Sequence, residues 1–137
     1  MDTAEHEEEI VPIGCGDDIV KARQKGRELA SKIGFSTTDS VLITTAISEL
    51  ARNIVLYARS GEIRLGYAKN HHAEGIVVVA KDEGPGIGDV EQALRDGYST
   101  SGSLGLGLPG VRRLMDELEI ESHPGEGTIV TASKWKR

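Results

Sequence analysis

The clearest hydrophobic pattern in the chain lies between residues 37 and 58. Apolar side chains recur there at intervals of three and four positions, which is the spacing of one face of an α-helix. We therefore predict a helix that begins at Thr37 or Thr38, runs to about Ala58 and has ended by Gly61. Its apolar stripe is formed by Ile43, Ala46, Ile47, Leu50, Ala51 and Ile54.

Two shorter patterns precede this helix. Residues 10–14 are typical of an edge strand, because Pro12 has no N–H to donate to a central ladder. A further helix is predicted over residues 17–32, with Asp17 or Asp18 as its N-cap and Gly34 at its C-terminal end. The domain is therefore expected to start with a strand followed by two helices.

Strands and glycine-rich segments alternate in the second half of the chain. Residues 97–107 are rich in glycine and hydroxyl side chains, so we predict a mobile loop there. The order of elements predicts an α+β fold, a two-layer sandwich with helices on one face of a mixed, mainly antiparallel sheet. The remaining predicted elements are strands over 61–69, 75–81, 118–123 and 128–135, and helices over 89–96 and 108–117.

The composition is typical of one globular domain. The chain has 137 residues, of which 38% are hydrophobic and 28% are charged, and a domain of this size can bury a core. Residues 1–9 are rich in acidic side chains and predict a disordered N-terminus, which leaves residues 10–137 for the folded domain.

Charge and cysteine content narrow the classes of function. A net charge of −6 disfavours nucleic acid and membrane surfaces as partners, since little counterion release would favour binding. The basic clusters at 112–113 and 134–137 are predicted to be solvated surface. Cys15 is the single cysteine, which excludes an intramolecular disulfide, and we expect it to pack beside Ile13. We find no signal peptide or membrane-spanning run, and predict a cytoplasmic protein.

Glu49 and Asn53 are the first candidates for chemistry. Four residues apart on the predicted helix, they lie together at the rim of its apolar stripe. There Glu49 can accept a proton from an attacking hydroxyl, and Asn53 can offer an oxygen ligand to Mg²⁺. Taken alone, the pair is also explained by ordinary polar positions on a helix.

Asp82 and the glycines after it form a second candidate. The carboxylate follows an apolar run and precedes Gly84 and Gly86, which remove side-chain bulk where an adenine ring could donate a hydrogen bond from its amino group. A strand-ending turn explains the same residues without any ligand.

A third candidate is the segment 102–110, which holds four glycines and leads into a predicted helix. Its backbone amides can converge on phosphates at the helix N-terminus. Gly105, Gly107 and Gly110 also match the dinucleotide-binding fingerprint. We reject that interpretation because no strand is predicted immediately before them.

The order of these motifs resembles the Bergerat ATP-binding fold of the GHKL superfamily, which gyrase, Hsp90, histidine kinases and MutL share. The resemblance covers residues 10–137. Within the superfamily, segments 44–53, 96–102 and 108–111 resemble the RsbT-type serine/threonine-protein kinases, the switch kinases of the bacterial stressosome. The matched motifs are Glu49-x-x-x-Asn53, Asp82-x-Gly84-x-Gly86, Gly105-x-Gly107 and Gly125-x-Gly127-Thr128.

The resemblance implies a role for each matched residue. Glu49 would be the general base and Asn53 the Mg²⁺ ligand, with ATP as the phosphate donor. Asp82 would receive the adenine amino group, with Thr128 supporting it through water. Pocket and phosphate contacts would come from Gly84, Gly86, Ile87, Ser99, Thr100, Ser101, Gly105, Leu106, Gly107 and Leu108.

The sequence departs from the superfamily in three respects. Leu56 and Tyr57 stand where histidine kinases commonly carry lysine and histidine, so the cation for the phosphates is unassigned and Arg52 is a candidate. The loop between the two main glycine boxes is short, which suggests a small lid. No hairpin with a phosphoacceptor histidine is recognisable before the domain, so we expect the phosphate to go to another chain.

The resemblance also implies a function and partners. The kinase would phosphorylate a serine or threonine on a STAS-domain antagonist or stressosome scaffold protein, and then bind and activate a serine phosphatase regulator. Two alternatives remain open: an anti-sigma factor that binds a sigma subunit directly, and a nucleotide-dependent binding module without transfer. The presence of Glu49 disfavours the binding module, because binding alone needs no base.

Overall fold

A computed structural model describes residues 8–58, 60–84, 107–123 and 125–136 of the chain, and in this part three helices lie on one face of a five-stranded sheet. The strands are β1 (Glu9–Ile13), β2 (Gly61–Lys69), β3 (Glu74–Asp82), β4 (Glu117–His123) and β5 (Gly127–Trp135). The helices are α1 (Gly16–Ile33), α2 (Thr37–Tyr57) and α3 (Leu108–Leu114). The predicted α+β two-layer sandwich is confirmed.

The strand order is β1-β2-β3-β5-β4, and the four described pairings are all antiparallel. This order places β3 at the centre of the sheet, between β2 and β5. Pro12 lies on the edge strand β1, as its missing N–H predicted. The hairpin between β2 and β3 turns at Asn70, whose Oδ1 accepts the N–H groups of His72 and Ala73 at 2.8 Å each.

The core lies between the sheet and the helices α1 and α2. Ile63 and Leu65 of β2 are fully buried, while Glu62 and Arg64, which alternate with them, are partly exposed on the other face. This alternation is the period of two that a half-buried strand requires. The apolar stripe predicted for α2 is buried as a whole and packs on the inner face of the sheet.

The N-terminus of α1 differs from the prediction. The N-cap is Cys15 (φ −157°), and the predicted caps Asp17 and Asp18 lie inside the helix. Asp18 is the third helical residue, and its Oδ2 accepts the N–H groups of Gly14 at 2.8 Å and Cys15 at 3.2 Å. The carboxylate of a residue inside the first turn can therefore accept the backbone N–H groups at this helix end. The expected packing of Cys15 is also wrong, because Cys15 is exposed at the cap.

We predict that the Asp18 contribution to stability depends on pH. The hydrogen bond from the Gly14 N–H, with help from Cys15 and Lys21, lowers the pKa of Asp18 below its ordinary value. The contribution is therefore fully present above the unfolded pKa of about 3.9 and is lost as pH falls through the lower folded pKa. The melting temperature of Asp18→Asn should fall below that of the parent at pH 7, and the difference should vanish in acid.

Asp17→Asn is the matched control, since Asp17 lies in the same first turn but is exposed and makes no side-chain hydrogen bond among the described residues. An equal loss in both variants at every pH would contradict the assignment to Asp18.

Two further sequence predictions, the end of α3 and the solvated position of Lys134, are wrong. The helix ends at Leu114 and not at residue 117, because Met115 is extended and the Asp116 N–H donates to the Ser133 carbonyl at 2.8 Å. Lys134 is only 7% exposed, so it is not part of a solvated basic cluster. Its Nζ donates to the Leu114 carbonyl at 3.0 Å, at the C-terminal end of α3, where a positive charge is stabilised.

Several predictions made from the sequence lie outside the described residues. These are the disordered segment up to residue 7, the helix over 89–96 and the loop up to residue 106. The domain boundaries at residues 9 and 10 stay a prediction. No helix in the described ranges is long and apolar enough to cross a membrane.

Candidate nucleotide site

The carboxylate of Asp82 lies at the end of the central strand β3, opposite Gly61 of β2 and Thr128 of β5. Its Oδ1 accepts the Gly84 N–H at 2.9 Å and the Thr128 N–H at 3.2 Å. A strand-ending turn would account for the first bond alone. The second bond comes from a strand 46 residues further along the chain, so it joins the first and third glycine motifs at one carboxylate.

Glycines surround the end of β3 at the positions where neighbouring backbones approach it most closely. A Cβ added at Gly127 would lie 2.2 Å from the Asp82 carbonyl oxygen, and one at Gly61 would lie 2.3 Å from the Lys81 carbonyl oxygen. A Cβ at Gly84 would lie 2.7 Å from the Cβ of Ala58, the C-cap residue of α2. Side chains cannot be accommodated at such distances. These glycines therefore let β2, β5 and the end of α2 close around Asp82.

We predict that Gly127→Ala is more damaging than Gly125→Ala. Both glycines have positive φ values, +89° and +83°, but an added Cβ meets nothing within 4 Å at Gly125. Gly125→Ala should therefore lower the free energy of unfolding by about 1 kcal/mol, the cost of a left-handed alanine. Gly127→Ala adds the collision with β3 and should cost about 2–4 kcal/mol. Chemical denaturation measures both, and equal losses would exclude a role for the close approach.

Thr128 lies beside Asp82 and forms a hydrogen bond with Ser122, for which the sequence predicted no role. Thr128 is 7% exposed, and its Oγ1 is 2.9 Å from the Oγ of Ser122 on β4. Ser122 Oγ also donates to the Gly127 carbonyl at 3.2 Å. Ser122 pairs with Thr128 in the β4–β5 register. The sequence does not specify this register, so it did not indicate that Ser122 would contact Thr128.

Glu49 and Asn53 lie on α2 where the apolar stripe meets the exposed face, as the periodicity predicted. Glu49 is 9% exposed and Asn53 is half-buried. The Oε1 of Glu49 accepts a hydrogen bond from Nη1 of Arg52, whose side chain is 47% exposed. Arg52, the candidate cation for the phosphates, is therefore engaged with the candidate base.

The end of β3 and the helix α3 both pack against α2. Gly84 contacts the C-cap of α2, and α3, which begins just after Gly107, packs on α2. Leu108 is buried, so its side chain belongs to the core, while Gly107 is half-buried. The other predicted contacts, Gly86, Ile87, Ser99, Thr100, Ser101, Gly105 and Leu106, lie outside the described residues.

Comparison with known proteins assigns the family. A profile of the histidine kinase-like ATPase domain matches residues 16–134. The serine/threonine-protein kinase RsbT of Bacillus subtilis (strain 168) is 54% identical over 120 residues, which cover 88% of this chain and 90% of that protein. An anti-sigma F factor of Caldanaerobacter subterraneus subsp. tengcongensis is 35% identical over 97 residues, 68% of each protein.

Solved structures agree on the fold. The mycobacterial sensor histidine kinase MprB matches with a TM-score of 0.57 at 14% identity, over 96% of this chain and 98% of that one. The catalytic domain of the histidine kinase ThkA matches with a TM-score of 0.55 at 17% identity, over 93% and 96%. At such low identity these two structures bear on the fold alone. With the match to RsbT, the family resemblance drawn from the sequence is confirmed: this chain belongs to the histidine kinase-like ATPase domain family and, within it, to the RsbT-type serine/threonine-protein kinases.

Proposed function

We propose that this kinase transfers the γ-phosphoryl group of ATP to a serine or threonine of a small STAS-domain antagonist protein and switches partners as a result. The observation that carries the proposal is the position of Glu49, a nearly buried carboxylate one helical turn from Asn53 on a helix whose C-terminal end packs against the Asp82 turn. The 54% identity to a serine/threonine-protein kinase supports transfer to a hydroxyl.

The adenine ring is proposed to bind at Asp82. Both hydrogen bonds that described residues make to this carboxylate end on Oδ1, so Oδ2 is the oxygen proposed to accept the adenine amino group. Such a bond to a charged acceptor in a confined pocket is about twice as strong as one between neutral groups. Gly84, Gly86 and Ile87 would shape the pocket, with Thr128 supporting Asp82 through water.

The phosphates are proposed to bind ahead of α3. Backbone amides from Gly105 to Leu108 and the hydroxyl groups of residues 99–101 would hold them. Gly107 and Leu108 lie at the start of a helix that packs on α2, which supports a position for the phosphates near Glu49 and Asn53.

Mg²⁺ is proposed to bind through the side-chain oxygen of Asn53. One half-buried amide oxygen fits this ion, which takes few protein ligands and keeps phosphate and water oxygens as the others. When bound, the metal would neutralise charge that develops on the phosphates.

Asn53→Ala should weaken ATP binding by at least about tenfold in the presence of Mg²⁺. In excess EDTA, the parent and the variant should bind the nucleotide alike, because the lost ligand serves the metal. Calorimetry under both conditions tests this, with Asn53→Asp as the control that retains an oxygen ligand. Equal affinity of the parent and Asn53→Ala in Mg²⁺ would exclude Asn53 as the ligand.

Glu49 is proposed to act as the general base. Its carboxylate takes the proton of the acceptor hydroxyl while the hydroxyl oxygen bonds to the γ-phosphorus and the bond to the β-phosphate oxygen breaks, releasing ADP. Arg52 holds Oε1, which leaves Oε2 to receive the proton. The acceptor hydroxyl is proposed to approach over the exposed edge of α2, where Arg52 and Leu56 (53% exposed) are accessible to a protein partner.

The phosphorylated antagonist is proposed to dissociate, after which the freed kinase would bind and activate a serine phosphatase regulator. Stressosome scaffold proteins are proposed as further STAS-domain partners. The cytoplasmic location and the absence of nucleic acid or membrane partners stay predictions.

Incubation with Mg²⁺, ATP and a STAS-domain protein, followed by mass spectrometry, tests the proposal. Phosphate on one serine or threonine of the STAS-domain protein is the expected result. Phosphate on a histidine of the kinase itself, or none on any partner, would contradict it. The second outcome would favour a nucleotide-dependent binding module.

A second candidate is an anti-sigma factor, favoured by the relative that is 35% identical over 68% of the chain. It predicts a direct complex with a sigma subunit that forms in the presence of ATP. Size-exclusion chromatography with purified sigma subunits separates the two candidates, because the switch kinase should not bind them.

A further inference from the structure

Ser122, Thr128 and Asp82 form one row across three adjacent strands at the same end of the sheet. Ser122 of β4 pairs with Thr128 of β5, and Thr128 pairs with Asp82 of β3. Side chains alternate between the two faces along each strand. Each of the three lies two positions from a residue of its own strand that faces the helices, namely Ile120, Val130 and Ala80. The row therefore lies on the inner face of the sheet, where Asp82 is proposed to receive the base.

The hydrogen bonds of Ser122 determine the direction of the Thr128 hydroxyl. Ser122 Oγ lies 3.2 Å from the Gly127 carbonyl oxygen, which can only accept, and 2.9 Å from Thr128 Oγ1, where either atom can donate. A hydroxyl carries one hydrogen. Both bonds form together only when Ser122 donates to Gly127 and Thr128 donates to Ser122. The proton of Thr128 is then directed away from Asp82.

We propose that Ser122 is a positioning residue that determines base specificity by holding this proton. With its proton on Ser122, Thr128 offers only lone pairs, and the Asp82 carboxylate also offers only acceptors. The water proposed between them then spends both its hydrogens on these two groups and presents a lone pair to the base. The row then favours a purine with an amino group at position 6 and opposes a 6-oxo group, which is itself an acceptor. This inference rests on the proposed position of the base at Asp82.

Removal of the Ser122 hydroxyl should relax this specificity. In Ser122→Ala, the Thr128 hydroxyl is released and can rotate to donate to the bridging water, which frees a hydrogen of that water for a 6-oxo group. The parent should prefer ATP over ITP, which carries the 6-oxo group, by roughly a hundredfold or more. In Ser122→Ala this ratio should fall by about tenfold, the usual scale of one hydrogen bond regained in a confined site.

Calorimetry with ATP and ITP on the parent, Ser122→Ala, Thr128→Val and the double variant provides the test. Ser122→Ala should change the ATP/ITP ratio in the parent but not in the Thr128→Val background, because the effect requires the Thr128 hydroxyl. Melting temperatures, measured alongside, report any structural loss separately from specificity.

Four outcomes would overturn the inference. Equal weakening of both nucleotides by Ser122→Ala would mean that Ser122 only supports the fold. A changed ratio in the Thr128→Val background would mean that Ser122 acts by another route. A parent that binds ATP without preference over ITP would remove the specificity itself, whereas a parent that binds neither nucleotide would contradict the proposed site as well.

Discussion

A Glu49→Gln variant should transfer phosphate at least about a hundredfold more slowly than the parent while it binds ATP with similar affinity. Glutamine has the size of glutamate and can still accept a hydrogen bond from Arg52 through its amide oxygen, so α2 and its packing should be preserved. It cannot take a proton from an acceptor hydroxyl near neutral pH. Binding and chemistry should therefore separate in this variant.

Single-turnover transfer to a STAS-domain protein, with nucleotide affinity from calorimetry, measures the two effects. Glu28→Gln is a matched control, because Glu28 also pairs with a basic residue three positions away but is exposed on α1. It should transfer phosphate at the parental rate. A Glu49→Gln variant that does the same would require the base to be another residue, and a loss below about tenfold would place proton removal late in the reaction.

Asp82→Asn should weaken ATP binding by at least about a hundredfold without unfolding the domain. Oδ1 accepts two backbone N–H groups, so an asparagine must place its carbonyl oxygen there to keep both bonds. Its NH₂ group then takes the place of Oδ2 and meets the adenine amino group, which is also a donor. Charge and a hydrogen bond are lost together.

Calorimetry and thermal melting test this prediction. Asp116→Asn is the control, since Asp116 also accepts a backbone N–H, that of Trp135 at 2.8 Å, but outside the proposed site. Asp116→Asn should leave ATP affinity unchanged. Unchanged affinity in Asp82→Asn would remove Asp82 from the site, and a collapse of its melting temperature would mean that the carboxylate supports the fold.

Local patterns in the sequence predicted the elements of the fold. The stripe on α2 recurs over many residues and is found where the sequence indicated, and the strands predicted over 61–69 and 75–81 appear as β2 and, one residue longer at each end, β3. Element ends were less predictable. The cap of α1 depends on which residue first leaves helical geometry, and α3 ends early because Asp116 bonds to the sheet.

The candidate site could be predicted only in part, for the same reason. Glu49 and Asn53 are related by one helical turn, which the sequence states directly. The pairing of Arg52 with Glu49 depends on side-chain conformation, which the spacing of the two residues along the helix does not determine.

By itself the sequence determined the helix and strand types, the order of the glycine motifs and the family, because each is written in short segments. The family resemblance already implied that Thr128 supports Asp82, but only the tertiary structure decided that Gly61 and Gly127 meet at Asp82 and that Ser122 lies behind Thr128. The contacts at Asp82 join strands that are distant in the chain, whereas Ser122 and Thr128 lie on the consecutive strands β4 and β5. In both cases the contact depends on strand register, which follows from packing of the whole sheet.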